Sequence, residues 1–177
     1  MNFLSAFRAS TRPEAQWFKV GLASSFPDLG VDEEDTHTLA HTRTCNTDTA
    51  PGCKVFHIPK DDPSSGNEVP IPENEAAGDM TDQVLVFKRK GTFHAIDHQC
   101  PHSSFPLSQG LPFDIEDFGI VLSAGITCPK HGWSFDLFSG RADRGNYKLK
   151  VWEVQLRDAA NDASDKEVWV RRKQRIG

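Results

Sequence analysis

Cys128-Pro-Lys-His-Gly-Trp-Ser-Phe-Asp-Leu-Phe-Ser-Gly140 sets a cysteine three residues before a histidine in one short, glycine-containing stretch. A thiolate and an imidazole at that spacing can reach one inorganic group from a single loop, but one such pair cannot hold it. The other half stands upstream as Cys100-Pro-His102, with 25 residues between the halves. The deciding pattern is therefore C-x-H followed by C-x-x-H. A proline after each cysteine removes a backbone donor and stiffens the loop.

Spacing alone also suits a structural zinc ion held by two cysteines and two histidines. The flanks favour something else. Pro101 and Pro129 follow the cysteines, Gly132 and Trp133 follow the second histidine, and Phe135-Asp136-Leu137 with Gly140 completes the run. With these flanks the chain resembles the Rieske [2Fe-2S] family over residues 17–172. The resemblance implies one [2Fe-2S] cluster per chain, with Cys100 and Cys128 on one iron and His102 and His131 on the other. Neutral imidazoles donate less charge than thiolates, so such a cluster accepts an electron more readily than an all-cysteine one. It also implies that electrons leave by the histidine edges, where a partner docks.

The resemblance bears on potential as well. High-potential relatives carry an extra cysteine in each loop, and those positions here are Phe105 and Lys130. Such relatives also place a serine after the His-Gly pair and a tyrosine two residues on, where this chain has Trp133 and Phe135. Fewer donors stabilise the reduced form less, which places the protein near about -150 rather than about +300 mV.

Composition narrows the partners. A chain of 177 residues suggests one domain and can bury roughly 70% of its unfolded surface without disulfides. A net charge of -5 argues against a nucleic-acid binder and by itself allows a basic protein partner. The apolar start Asn2–Phe7 is short and is interrupted by Arg8, unlike a secretory signal. Residues 1–13 hold two arginines and no acid, a hint of a mitochondrial presequence, but Trp17–Val20 already reads as domain. A cytoplasmic location is the expectation, with import the lesser one. The apolar run Gly119–Ile126 is far short of a membrane span. Four cysteines in such a chain suggest ligands or free thiols before disulfides.

Short strands with turn signals follow one another along the chain. Trp17–Leu22 and Lys54–Ile58 are strand candidates, and residues 28–52 between them read as an inserted loop. Residues 60–82, with Pro63, Gly66, Pro70 and Pro72, read as a second long loop. Val84–Phe87 and Thr92–Ile96 flank Lys88-Arg-Lys-Gly91 as a hairpin. Leu149–Leu156 alternates apolar and polar residues and pairs with Glu167–Val170 across the polar turn 158–165. No long amphipathic helix and no fold-scale repeat is visible.

The expected architecture is all-β. It comprises an N-terminal extension (1–16), a Rieske-type antiparallel β-sandwich base (17–172) with a small cluster-binding subdomain (98–138), and a tail (173–177). The segment Leu111–Gly119 lengthens the gap between the half-motifs and reads as a loop near the cluster, either a solvated loop or a lip for a partner. The path after Gly140 is open, because the Gly-Pro pair common in relatives is absent from RADRGNYKL.

Other residues invite weaker readings. Glu34, His37 and His41 could suggest a mononuclear iron, but relatives build that site in a large C-terminal domain, and too few residues follow the motif here. His37, His41, Cys45 and Cys53 could hold zinc, Cys45 and Cys53 could bridge, or both thiols could be free. His57, His94 and His98 read as structural, Trp152 and Trp169 as core, and Trp133 as a shield over the cluster before an electron relay.

The leading expectation is a monomeric one-electron carrier resembling a stand-alone soluble Rieske-type ferredoxin. It would pass electrons from a ferredoxin reductase to an oxygenase or other acceptor, with no substrate-converting site on this chain. The alternatives are the small Rieske subunit of a larger oxidoreductase, such as nitrite reductase, and a non-catalytic redox- or iron-sensing module.

Overall fold

Val84-Leu85-Val86-Phe87 is apolar at every position and buried at every position. Successive strand residues face opposite ways, so such a run needs cover on both faces. The computed structural model, which describes residues 16–30, 38–40, 42–43, 49–72, 78–160 and 164–173, shows that cover.

Among the described residues thirteen strands succeed one another: β1 (Phe18–Leu22), β2 (Asp28–Leu29), β3 (Thr42–Arg43), β4 (Thr49–Ala50), β5 (Cys53–His57), β6 (Asn67–Val69), β7 (Gln83–Arg89), β8 (Thr92–Asp97), β9 (Leu111–Asp117), β10 (Ile120–Cys128), β11 (Trp133–Asp136), β12 (Trp152–Asp158) and β13 (Lys166–Arg172). A central sheet of five strands runs β2-β7-β5-β6, with β8 beside β7. One face, carrying Phe56, Val84, Val86 and Ala95, packs on Val20, Trp152, Val168 and Val170 of the sheet β1-β13-β12. The opposite face, carrying Val55, Leu85, Phe87 and Ile96, packs on Ala124, Ile126, Phe135 and Leu137 around the sheet β11-β10-β9. Cys100 and Cys128 belong to this second core, so the site rests on the middle sheet. No helix of the described residues is long and apolar enough to cross a membrane.

The β7–β8 hairpin forms as expected. Its two-residue turn, Lys90-Gly91, has φ of 45° and 77°, a left-handed pair that matches the twist of the flanking strands. The β12–β13 pairing also forms, from Trp152 opposite Arg172 to Asp158 opposite Lys166.

Four sequence readings change. Residues 60–82 are not all loop, because Asn67–Val69 forms β6 against β5 after a turn at Pro63–Ser65. Residues 28–52 contain β2, paired in parallel with β7, and Leu39, fully buried with its N–H bonded to Gly110 O at 3.2 Å. Strands of two or three residues are too short to show a period. Trp169 lies on the outer face of β13, not in the core. Val168 and Val170 point inward, while the indole lies under Arg157 at 4.2 Å and donates to Glu167 Oε2 at 3.0 Å. Trp152 is core, 4% exposed, with its N–H donated to Asp97 Oδ1 at 2.8 Å.

Leu111–Gly119 is the arm and turn of a β-hairpin, not a loop beside the cluster. Leu111 lies opposite Thr127, whereas the Phe118-Gly119 turn stands at the far end of β10, about 26 Å from Cys128 at ~3.3 Å per residue. Arg89, only 8% exposed, anchors the arm by donating to Asp114 Oδ1 at 2.9 Å.

Candidate metal centre

The first loop leaves β8 through His98, a fully buried ring. His98 Nδ1 meets Gln83 Oε1 at 2.8 Å and its Nε2 meets Ser108 Oγ at 2.9 Å. Burial drops its pKa to about 4, so the ring is neutral and acts as a brace. Leu107 N–H donates to His98 O at 2.8 Å, Cys100 N–H to Phe105 O at 2.9 Å, and Ser104 N–H to Cys100 O at 2.9 Å. Ser104 takes φ 54° to close this tight loop.

The second loop joins β10 to β11, where Cys128 stands opposite Trp133. Gly132, at φ 69°, donates its N–H to Cys128 O at 3.0 Å. Each cysteine is 1% exposed.

The two loops bring like donors together. The Cys100 and Cys128 thiols stand close enough to shift each other's titration. The His102 and His131 rings meet edge to face, with centroids 5.1 Å apart. The Cys100 thiol is held down to about 5, first by the bond it accepts from Cys128, against burial, and with help from Ser103 and the His102 N–H. The same shared bond pushes Cys128 up. A thiol pair that gives up its first proton easily is suited to bind a metal. Ser103 Oγ also stands 3.8 Å from Cys128 Sγ.

His102 Nδ1 supplies the test of fit. It is buried and has no hydrogen-bond partner among the described residues. A buried ring nitrogen needs a partner, and a metal ion is one. The donors therefore form a thiol pair and an imidazole pair, and no three His, Cys, Asp or Glu side chains converge on one point among the described residues. A binuclear group with two ligands per metal fits this division better than one four-coordinate zinc.

Three aromatic and charged neighbours complete the site. Trp133 stacks on His102, as the shield reading expects. Tyr147 packs edge-on against both His102 and Trp133, at 5.1 and 5.0 Å. Arg144 donates Nη2 to His131 O at 3.2 Å and Gly132 O at 2.9 Å, and its guanidinium lies 4.9 Å from the Trp133 ring centroid. Sequence reasoning missed Tyr147 and Arg144. The one usable signal was that Tyr147 is the chain's single tyrosine and follows soon after the motif. Phe105 and Lys130, the positions of the bridging cysteines in high-potential relatives, do face each other, with Lys130 Nζ 5.8 Å from the Phe105 ring centroid.

Other candidates separate from the centre. Burial pushes the Cys53 thiol up to about 12, which keeps it protonated. Glu34, His37, His41 and Cys45 lie outside the described residues. His94 is a buried strand residue between Phe87 and Phe138, and His57 lies in β5.

The family model of the Rieske [2Fe-2S] domain matches residues 64–153, just over half of the chain. The chain belongs to the Rieske [2Fe-2S] domain family. Its cofactor is accordingly a [2Fe-2S] cluster, and its role is electron transfer. This Rieske chain is similar to human apoptosis-inducing factor 3, at 41% identity over 59 residues, 33% of this chain and 8% of that protein. It is also similar to the ferredoxin component of the alkene monooxygenase system of Xanthobacter autotrophicus, at 34% identity over 59 residues, 33% of this chain and 42% of that protein. The matches thus span less than half the length of either relative. Among solved structures, the complex of reduced oxygenase and oxidized ferredoxin in carbazole 1,9a-dioxygenase matches with a TM-score of 0.45 and 18% identity, over 91% of this chain and 97% of that one.

Proposed function

We propose that Cys100 and Cys128 hold one iron of the cluster and His102 and His131 the other, and that this chain is a low-potential, ferredoxin-type carrier. It takes electrons from a ferredoxin reductase and gives them to an oxygenase or another acceptor. The observation that carries the ligand assignment is His102 Nδ1, buried without a hydrogen-bond partner among the described residues and beside His131 and the thiol pair.

When bound, the cluster supplies one-electron oxidation and reduction. The chain does the rest. Ser103 and nearby backbone N–H groups point hydrogen bonds at the cysteine sulfurs, which stabilises negative charge there. Trp133 and Tyr147 cover the His102 ring and keep water off it. His131 stays exposed and offers a short route to a docked partner.

Electron paramagnetic resonance of dithionite-reduced protein, with iron and sulfide measured on the same sample, tests the assignment. A rhombic signal of low average g, with the two irons and two sulfides of a [2Fe-2S] cluster per chain, is expected. One zinc and no sulfide would overturn it.

A permanent subunit of a larger oxidoreductase is favoured by a different observation. The β9–β10 tip exposes Phe118 at 98%, Ile120 at 64% and Leu122 at 65%. Contiguous apolar exposure of this kind marks contact surfaces. A stoichiometric complex in native purification supports this reading, and a lone monomeric chain supports the mobile carrier.

A further inference from the structure

The net charge of -5 suits a basic partner, but the charge is not spread evenly. Arg144 is fixed beside His131 by its two carbonyl bonds and its stack on Trp133, with its side chain 52% exposed. Lys130 is exposed between Cys128 and His131. Lys148 and Lys150 line a depression of about 220 Å³ together with Cys100, Pro101 and Ser104. Four cations thus surround the two cluster loops, and Arg141 stands opposite Lys148 in a short bridge.

Two carboxylates of the described residues lie among them. Asp97 is 3.8 Å from Lys150, and its other oxygen accepts the Trp152 N–H. Asp143 is 3.9 Å from Arg144. Among the described residues these two acids are outnumbered by Arg141, Arg144, Lys148 and Lys150, so the rim is positive there. The acids Glu116 and Asp117 belong to the far end of the hairpin, about 26 Å along β10. At physiological salt the screening length is about 8 Å, so a partner at the histidine edges feels the rim and not the net charge.

We propose that this chain exchanges electrons across a basic rim formed by Lys130, Arg144, Lys148 and Lys150, and that its partner presents an acidic surface around its own redox group. The inference rests on the ligand assignment above. It reverses the expectation from net charge, because the partner at this face is acidic.

Small oxidants of opposite charge read the rim directly. Reduced holoprotein is mixed with hexacyanoferrate(III) or with hexaammineruthenium(III) while the ionic strength rises from about 20 to about 500 mM. In each case one electron passes from the protein's reduced cluster to the oxidant, giving hexacyanoferrate(II) or hexaammineruthenium(II). With a basic rim, salt slows the anionic oxidant several-fold and speeds the cationic one. In the triple variant Arg144→Gln/Lys148→Gln/Lys150→Gln both salt effects shrink toward none, while Lys166→Gln, at the start of β13, keeps them. The opposite salt dependence, or one unchanged by the triple variant, overturns the rim. A preparation without iron, sulfide and the rhombic signal overturns the ligand assignment and the rim together, whereas a normal signal with reversed salt dependence overturns the rim alone.

Discussion

Trp133 lies flat on His102, with ring centroids 4.7 Å apart and planes 27° from parallel. Gly145 permits this, because a Cβ there would stand 2.8 Å from the indole. Trp133→Ala removes a half-buried aromatic and should cost about 1–2 kcal/mol of stability. It should also open the His102 ring to water, so bleaching of the visible absorbance in air is expected to quicken several-fold. Trp133→Phe, which keeps a ring, should restore most of the lifetime.

Ser103 is the hydroxyl nearest a cysteine sulfur, at 3.8 Å from Cys128 Sγ. A bond to sulfur strengthens when the cluster takes an electron, so it favours the reduced form. Ser103→Ala should lower the midpoint potential, by about 40 mV for each 1 kcal/mol of differential bonding lost. Protein-film voltammetry measures it. An unchanged potential removes Ser103 from the tuning set.

His94 predicts an acid limit. Its pKa falls to about 4, first through burial and then through the Arg89 charge, with Asp136 opposing. The unfolded ring titrates near 6.5, so between about 6.5 and 4 the unfolded chain binds the extra proton. The stability from the neutral buried ring is complete above about pH 6.5, and it is lost as pH falls to about 4, up to about 3 kcal/mol. His94→Leu should flatten this part of the curve in urea titrations at pH 7 and pH 5. An equal loss in both proteins excludes the ring as the source.

Gly140 sets the path of the segment that follows it. Its φ is 71°, its N–H bonds to Asp136 O at 2.8 Å, and a Cβ would fall 2.0 Å from Leu149 O. Gly140→Ala must strain or displace the backbone and should cost about 2–4 kcal/mol. Thermal denaturation of the variant checks it. A melting temperature within a degree or two of the wild type would mean that the loop re-routes freely.

The legible parts of the molecule were local. The two candidate ligand loops stood out because each donor pair sits within four residues, and β7–β8 read because Lys90-Gly91 is a tight turn between apolar runs. The β9–β10 hairpin escaped notice. Pro112 and three acids made its first arm look like loop, and Phe118-Gly119 is an unusual turn for φ of 50° and 76°. Trp169 misled because alternation marks two faces without saying which is buried, and the answer came from the packing of Val168 and Val170. Arg144 and Tyr147 were invisible because their value comes from where the loop after Gly140 folds back, which no spacing rule encodes.

The bonds that close the two loops run from backbone to backbone. Cys100 N–H to Phe105 O, Ser104 N–H to Cys100 O and Gly132 N–H to Cys128 O are made by the chain alone. A small zinc-binding module pays for its order with the metal it captures, and it unfolds without it. Here backbone bonds and the surrounding sheets meet part of the ordering entropy of both loops. Loss of any one of these bonds should therefore loosen the placement of the donors even where all four donor side chains are intact.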